Sequence, residues 1–359
     1  MLFIRATLGL STKKTINNIR VKSIDLALFQ NFKTNYSFDS GIKELYMLKT
    51  KKLITVIAAI CVCTLSMVGC AGNVEPEVTG PVGDYIGLIE IHGEIGPSAE
   101  ESLFSTSTGY DHDASIEFIN DMMEDDNNKA ILLSLDTPGG TVYESDEMYL
   151  KLMEYKEETG RPVYAYMHSM AASGGYYIAV ASDEIYANRN TTTGSIGVIM
   201  GGYEMSGLFE KAGIKEIAIT SGPNKAMGSA GTPMTEEQIA IYQSIVDEAY
   251  DIFVDIIVKG RQLDEAKVRE IADGRIYTAK QALELDLIDG IDVFDNYKET
   301  VLGNFEGDVD FYTPEEPAED FMSMLLGEIK GMIPKSDVQL MQEFCEANSQ
   351  IVPMYYYGN

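Results

Sequence analysis

Ala130-Ile-Leu-Leu-Ser-Leu135 is a short, nearly continuous apolar run that ends in Asp136-Thr-Pro-Gly-Gly140, and a helical pattern follows from about Val142 to Glu157. A strand that is apolar on both faces must be covered on both, which is the position of a parallel strand inside an α/β sheet. The unit recurs. Pro162–Met167 leads through a small-residue turn into Tyr176–Ser182 at helical spacing, and a further strand is expected near Glu184–Ala187. Ile196–Gly202, a helix over Glu204–Ala212 and a strand over Ile217–Thr220 continue the series. Such alternation predicts an α/β fold with parallel strands, built from repeated strand-turn-helix units.

Around this centre the chain reads in order. Tyr85–Ile95 alternates as a strand or hairpin, and Ser115–Met123 fits a helix. A long amphipathic helix is expected over Thr235–Lys259, opened by the Thr-x-x-Gln spacing of a capping box. Helices over Asp264–Ala272 and Thr278–Leu285 precede a strand-like Leu287–Val293. Past Gly303 the chain turns acidic and irregular, then offers an apolar helix, Phe321–Met332, and an apolar end, Ile351–Tyr357, whose tyrosines suit a docked strand.

Charge and the N-terminal region bound the location. The chain carries 27 Lys and Arg against 56 Asp and Glu, a net of −29, but residues 1–69 hold 10 basic and 3 acidic residues. The body from Cys70 onward therefore has 17 basic and 53 acidic residues and a net of −36. That field repels nucleic acid and anionic headgroups, so no nucleic-acid partner is expected. Met47–Lys52 is a basic segment and Leu53–Val68 an apolar one of 16 residues, followed by Gly69-Cys70. The pattern is that of an export signal, short for a retained span. Met67-Val-Gly-Cys70 resembles a lipobox, with Cys70 as the lipidation site, so the body is expected outside the cytoplasm, on the cell membrane, held by a lipid or an uncleaved anchor. Residues 1–46 read as an upstream extension or start-site artefact, and 71–83 as a tether. Cys61, Cys63 and Cys70 belong to the signal, leaving Cys345 alone in the body. Neither a disulfide framework nor a thiol-based metal site is expected.

Chemistry concentrates in two acid-free windows. In the first, His168-Ser-Met-Ala-Ala-Ser-Gly-Gly-Tyr-Tyr177, small neighbours leave the Ser173 hydroxyl open to a close approach at or near a helix N-terminus. Pro138-Gly-Gly140, after a buried strand, can turn backbone N–H groups outward as an oxyanion hole needs, although such a turn is also common without function. A serine nucleophile needs a base. His168 lies on the incoming strand, where it can pack or cap instead; His112, in Asp111-His-Asp113, is expected in a solvated polar loop, and His92 facing solvent. Lys225 suits the role better, because residues 217–235 contain no Asp or Glu and a carboxylate partner would keep a lysine protonated. At an ordinary pKa only about one lysine in 2,500 is neutral at pH 7, so the fold must favour the neutral form.

Asp136-Thr-Pro-Gly-Gly140, Met170-Ala-Ala-Ser-Gly-Gly-Tyr-Tyr177, Thr193-Gly-Ser-Ile-Gly-Val-Ile199 and Ser221-Gly-Pro-Asn-Lys225 occur in the order and approximate spacing of the signal peptide peptidase SppA (protease IV) family. The resemblance spans about residues 84–300, in its short single-domain form, and leaves 301–359 as an acidic segment and apolar tail. It implies a ClpP/crotonase-like fold and a Ser–Lys dyad: Ser173 as nucleophile, Lys225 as general base, Ser195 orienting the lysine, and the N–H groups of Gly140 and Gly174 as the oxyanion hole. Signal-peptide remnants and other apolar peptides are the implied substrates, with no cofactor, and a homo-oligomer in which the catalytic pair is completed across or beside a subunit interface. Asp136-Thr137 departs from the family's usual Asn-Ser. The tail Met354-Tyr-Tyr-Tyr357 is similar to tails of some members and is expected in the substrate groove. Two other classes remain: a crotonase-type acyl-CoA enzyme, disfavoured by export and acidity, and a non-catalytic scaffold on the same fold.

Overall fold

The run around Leu132 forms β2 (Asn128–Thr137), and its apolarity has the expected cause: it is covered on both faces. Ile131, Leu133 and Leu135 point into the main core, while Ala130 and Leu132 join a smaller cluster with Tyr164, Tyr166, Tyr297 and Val301. Each fully buried leucine or isoleucine contributes roughly 1.5–3 kcal/mol from removing its surface from water. The computed structural model describes residues 80, 81, 83–98, 110–314 and 353–356. The segment 1–46, the signal with Cys70, most of the tether and the helix expected over 321–332 lie outside the described residues.

On either side of β2 lie β1 (Asp84–His92) and β4 (Val163–Ala172), both parallel to it. The sheet runs β7 (Ile276–Thr278), β6 (Thr192–Gly194), β4, β2, β1, β9 (Val309–Tyr312), with β5 (Glu184–Ala187) pairing β4 and β8 (Gly290–Ile291) pairing β5. Among the described residues only the β6–β7 pair is antiparallel within this sheet. The architecture is thus the parallel-rich α/β sheet of strand-turn-helix units that the repeats predict. On the main-core face pack α1 (His112–Glu124), α2 (Val142–Thr159), the short α3 (Gly174–Ala179) and α5 (Glu236–Arg261). A second, two-stranded sheet joins β3 (Gly139–Thr141) to β10 (Met354–Tyr356), so the tyrosine-rich end is a docked strand.

Local signals fixed several boundaries. Thr235 caps α5 with both halves of the capping box, Thr235 Oγ1 accepting from Gln238 N and Gln238 Oε1 accepting from Thr235 N. Such a cap is worth about 1 kcal/mol. Asp264 and Thr278 cap α6 (Glu265–Ile271) and α7 (Ala279–Glu284). α8 (Phe294–Leu302) covers the smaller cluster, where Tyr297 is buried.

Four expectations need correction. Ile196–Gly202 is a loop after β6, which ends at Gly194, with a single bridge from Ile199 to Met354. β1 stops at His92 because Gly93 takes φ +82°, so Ile95 pairs instead as a bridge to Gly140. α1 starts at His112, three residues early, because Asp111 caps it by accepting from Ala114 N. No strand forms at Ile217–Thr220: Ile217 and Ile219 are 83% and 97% exposed, and a strand with no neighbour has nothing to pair with. The helix before it, α4 (Ser206–Ala212), buries no side chain.

Candidate active site

Ser173 follows the last residue of β4 and caps α3 in a conformation that L-residues rarely adopt, φ 53° and ψ −113°. The turn is held from both sides: Ser173 N donates to Gly194 O at 2.8 Å, and Tyr177 N donates to Ser173 O at 2.9 Å. A strained strand-to-helix turn of this kind projects a nucleophile and stores of the order of 1–3 kcal/mol. The serine is buried, and its Oγ has no hydrogen-bond partner among the described residues.

Sheet register brings Ser195 beside it. β4 and β6 pair Ala172 with Gly194, so each serine is the next residue on neighbouring strand ends. Ser195 is also buried, also at positive φ (52°), and its N–H donates to Arg275 O at 2.7 Å.

The two glycines converge on the same point. Ile95 clamps β3, its N–H donating to Gly139 O and its carbonyl accepting from Thr141 N, both at 2.9 Å. A Cβ on Gly140 would lie 1.7 Å from Ile95 O, so only glycine fits. A Cβ on Gly174 would lie 3.2 Å from Gly140 N, which puts the two backbone amides side by side near Ser173. The group across from them is the chain's own: β10 pairs antiparallel with β3, Tyr355 opposite Gly140, and Tyr355 O would lie 3.1 Å from a Gly174 Cβ. Beyond the amides Tyr355 is fully buried, stacked on Tyr177 with centroids 4.7 Å apart and 4.8 Å from Phe253, its hydroxyl donating to Ala249 O. Burial raises the pKa of this phenol, and of Tyr177 more strongly, so both stay neutral donors. On its other edge the tail pairs with Ile199, whose N–H donates to Met354 O and whose carbonyl accepts from Met354 N.

Lys225 stands apart from this group. It lies in a run of turns, exposed, its N–H donating to Gly222 O, and it forms no ion pair among the described residues. The structure therefore brings together Ser173, Ser195, Gly140 and Gly174 within one chain, and does not hydrogen-bond Lys225 to Ser173. The acid-free window has one intruder from outside it, since Glu216 accepts from Ser229 Oγ across the loop.

The histidines belong elsewhere. His168 Nε2 is 2.9 Å from Ser134 Oγ, and the ring packs edge-on to Tyr166 and Phe294, away from Ser173. His92 is exposed, 6.0 Å from the His168 ring. His112 is not solvated as expected: it is buried, 2.8 Å from Tyr110 Oη through Nδ1 and 2.9 Å from Glu147 Oε2 through Nε2. The Asp111 cap drives it under the helix, and that cap was the missed signal. Asp136 accepts from Ser169 Oγ and Met170 N, tying β2 to β4. Among the described residues no three of His, Cys, Asp and Glu converge on a point that could hold a metal ion.

A serine at a strained strand-to-helix turn of a parallel sheet, beside two converging amides, is the layout of an acyl-transfer enzyme with a serine nucleophile. The chain belongs to peptidase family S49. The description of that family, Peptidase family S49, matches residues 155–302. The chain is 36% identical over 281 residues to a putative signal peptide peptidase SppA of Enterococcus faecium, covering 75% of this chain and 80% of that protein. It is 34% identical over 219 residues to protease 4 of Haemophilus influenzae, covering 59% of this chain and 34% of that longer protein. With the serine protease SPPA of Arabidopsis thaliana, chloroplastic, the identity is 32% over 209 residues, 58% of this chain and 30% of the other. By family, then, the protein is a serine peptidase.

Proposed function

We propose that the protein is a membrane-tethered, extracytoplasmic serine endopeptidase that degrades cleaved signal peptides and other apolar peptides with a Ser173–Lys225 dyad. One observation carries the reading: the chain's own strand β10 lies on Gly139–Thr141 as an extended peptide, its Tyr355 carbonyl against the glycine amides beside Ser173. A substrate strand in the same register offers its carbonyl carbon to Ser173 Oγ. Attack passes the hydroxyl proton to neutral Lys225 and leaves an oxyanion facing Gly140 N and Gly174 N. Lys225 then protonates the departing amine, the acyl group remains on Ser173, and the same lysine activates the water that releases it. Tethering rests on the signal sequence and Cys70. The C-terminal strand is a resident occupant that substrate must displace.

Lys225 reaches Ser173 from a second copy of the chain. Two observations support this: no residue between 200 and 245 is buried, with Leu208, Ile214, Ile217, Ile219 and Ile239 exposed, and Ser173 Oγ has no partner among the described residues. An arm with that much bare apolar surface matches a packed neighbour.

The test is complementation. Ser173→Ala and Lys225→Ala proteins, each inactive on an apolar fluorogenic peptide, are unfolded together, refolded as a mixture and assayed. Mixed assemblies regain a fraction of the activity, because a Lys225→Ala subunit keeps Ser173 and borrows lysine from its neighbour. An active Lys225→Ala protein would overturn the dyad, and a mixture as inert as its components would overturn the exchange between copies. A wild type inert on every apolar peptide, with or without residues 351–359, would favour the scaffold reading.

A further inference from the structure

A cavity of about 440 Å³ opens beside Ser195 and is lined by Asp247, Tyr250, Asp273, Gly274 and Tyr356, among others. Its place along a bound peptide follows from the tail. Side chains alternate along a strand, so Tyr355 enters the core and Tyr356 turns to the opposite side, into this cavity. With the Tyr355 carbonyl against the oxyanion amides, Tyr356 occupies the position just after the bond that Ser173 attacks. The volume remains open beside the Tyr356 phenol, enough for a longer side chain.

The charges around the cavity are unequal. Asp273 is neutralised by Arg275, whose Nε and Nη2 reach both of its oxygens. Arg269, 5.7 Å from the Tyr250 ring, is already held by Asp251 and Glu265. That leaves the Asp247 carboxylate, whose one hydrogen bond among the described residues is accepted from the Gln243 amide at 2.7 Å. An anion at a cavity wall, with the nearby cations committed elsewhere, selects a cationic guest.

The geometry points to this cavity as a specificity pocket for a lysine or arginine side chain on the leaving-group side of the scissile bond, with Asp247 as its counter-ion. The assignment of that side rests on Ser173 being the nucleophile. The tail presents a tyrosine there, so it leaves Asp247 without its cation and yields more readily to an apolar peptide that carries lysine or arginine at this one position than to one that does not.

Binding and cleavage separate the two claims. Three labelled peptides of equal length are compared on full-length Ser173→Ala protein by fluorescence anisotropy: lysine directly after the tyrosine, leucine in its place, and the leucine peptide with its lysine at the far end. The third corrects for attraction to the acidic body. At low salt the first binds about fivefold tighter than the third, the most that a solvent-exposed pair of this kind supplies, and added salt narrows the gap. Asp247→Asn removes the gap, and Asp247→Lys reverses it in favour of a glutamate peptide. Equal binding of the first and third peptides, or a gap that survives in Asp247→Asn, overturns the pocket. Cleavage of the same peptides by wild-type protein reads the other claim: no cleavage with the Asp247-dependent gap intact sinks the Ser173 reading and keeps the cation pocket. Cleavage without the gap does the reverse.

Discussion

Gly140→Ala tests the proposed oxyanion hole. The added methyl would sit 1.7 Å from Ile95 O, and real Cβ atoms keep at least 3.0 Å, so β3 and Ile95 must separate by more than 1 Å. Ile95 cannot yield freely, since its N–H and carbonyl clamp Gly139 and Thr141 and its side chain is fully buried. The displacement therefore falls on the Gly140 amide, and a donor moved by that distance no longer meets the developing oxyanion. Losing one such donor costs about 10²–10³ in kcat, or roughly 3–4 kcal/mol of transition-state stabilisation. The assay is kcat on an apolar fluorogenic peptide at saturation, with a thermal melt alongside to confirm a folded protein. Gly174→Ala is the milder counterpart: its Cβ would meet Ser145 Oγ at 2.5 Å, a hydroxyl that Ser145→Ala removes, so the double variant recovers part of what the single one loses. A folded Gly140→Ala protein with kcat within threefold of wild type would refute the placement of the hole.

Ser173→Gly abolishes activity yet raises stability by about 1–2 kcal/mol, because glycine takes φ 53° without strain and the buried unpartnered hydroxyl disappears, gains that exceed the entropy of an added glycine. Thermal unfolding checks it, and a lower melting temperature would show that the turn is unstrained. A pH dependence follows from His168, whose pKa is lowered from 6.5 by burial first and by neighbouring His92 second, against the raising pull of Asp136 and Glu90. The folded state thus holds the neutral ring while the unfolded chain takes up a proton as pH falls through about 6.5. That contribution to stability is complete above the unfolded pKa and declines below it. His168→Gln, which keeps a polar partner for Ser134, loses less melting temperature than wild type between pH 7.5 and 5.5; equal losses would remove the effect.

How much of this was legible depended on whether the partner of a residue was local in the chain. β2 could be read because its cause is written in a run with five apolar residues in six, and α5 because Thr235 and Gln238 cap it within one turn. Ser173 was singled out by its small neighbours and Gly140 by the turn after β2, while Gly174 came only with the family resemblance; distances show why position 140 takes glycine, since the methyl excluded there meets Ile95, far away in sequence. Tyr355 was legible only as an apolar end, since its pocket is made by Tyr177, Phe253 and the Ala249 carbonyl from separate elements. Ile217–Thr220 shows the opposite failure. Its alternation of apolar and small or polar residues is real, but a strand needs an edge to pair with, and Ile217 and Ile219 face open solvent in a single chain. The same stretch leads to Lys225, the one proposed catalytic residue not gathered at Ser173. A pattern that asks for burial and a lysine that asks for a serine are both unsatisfied in the same arm, and the proposed second copy of the chain, docked on that arm, would answer both at once.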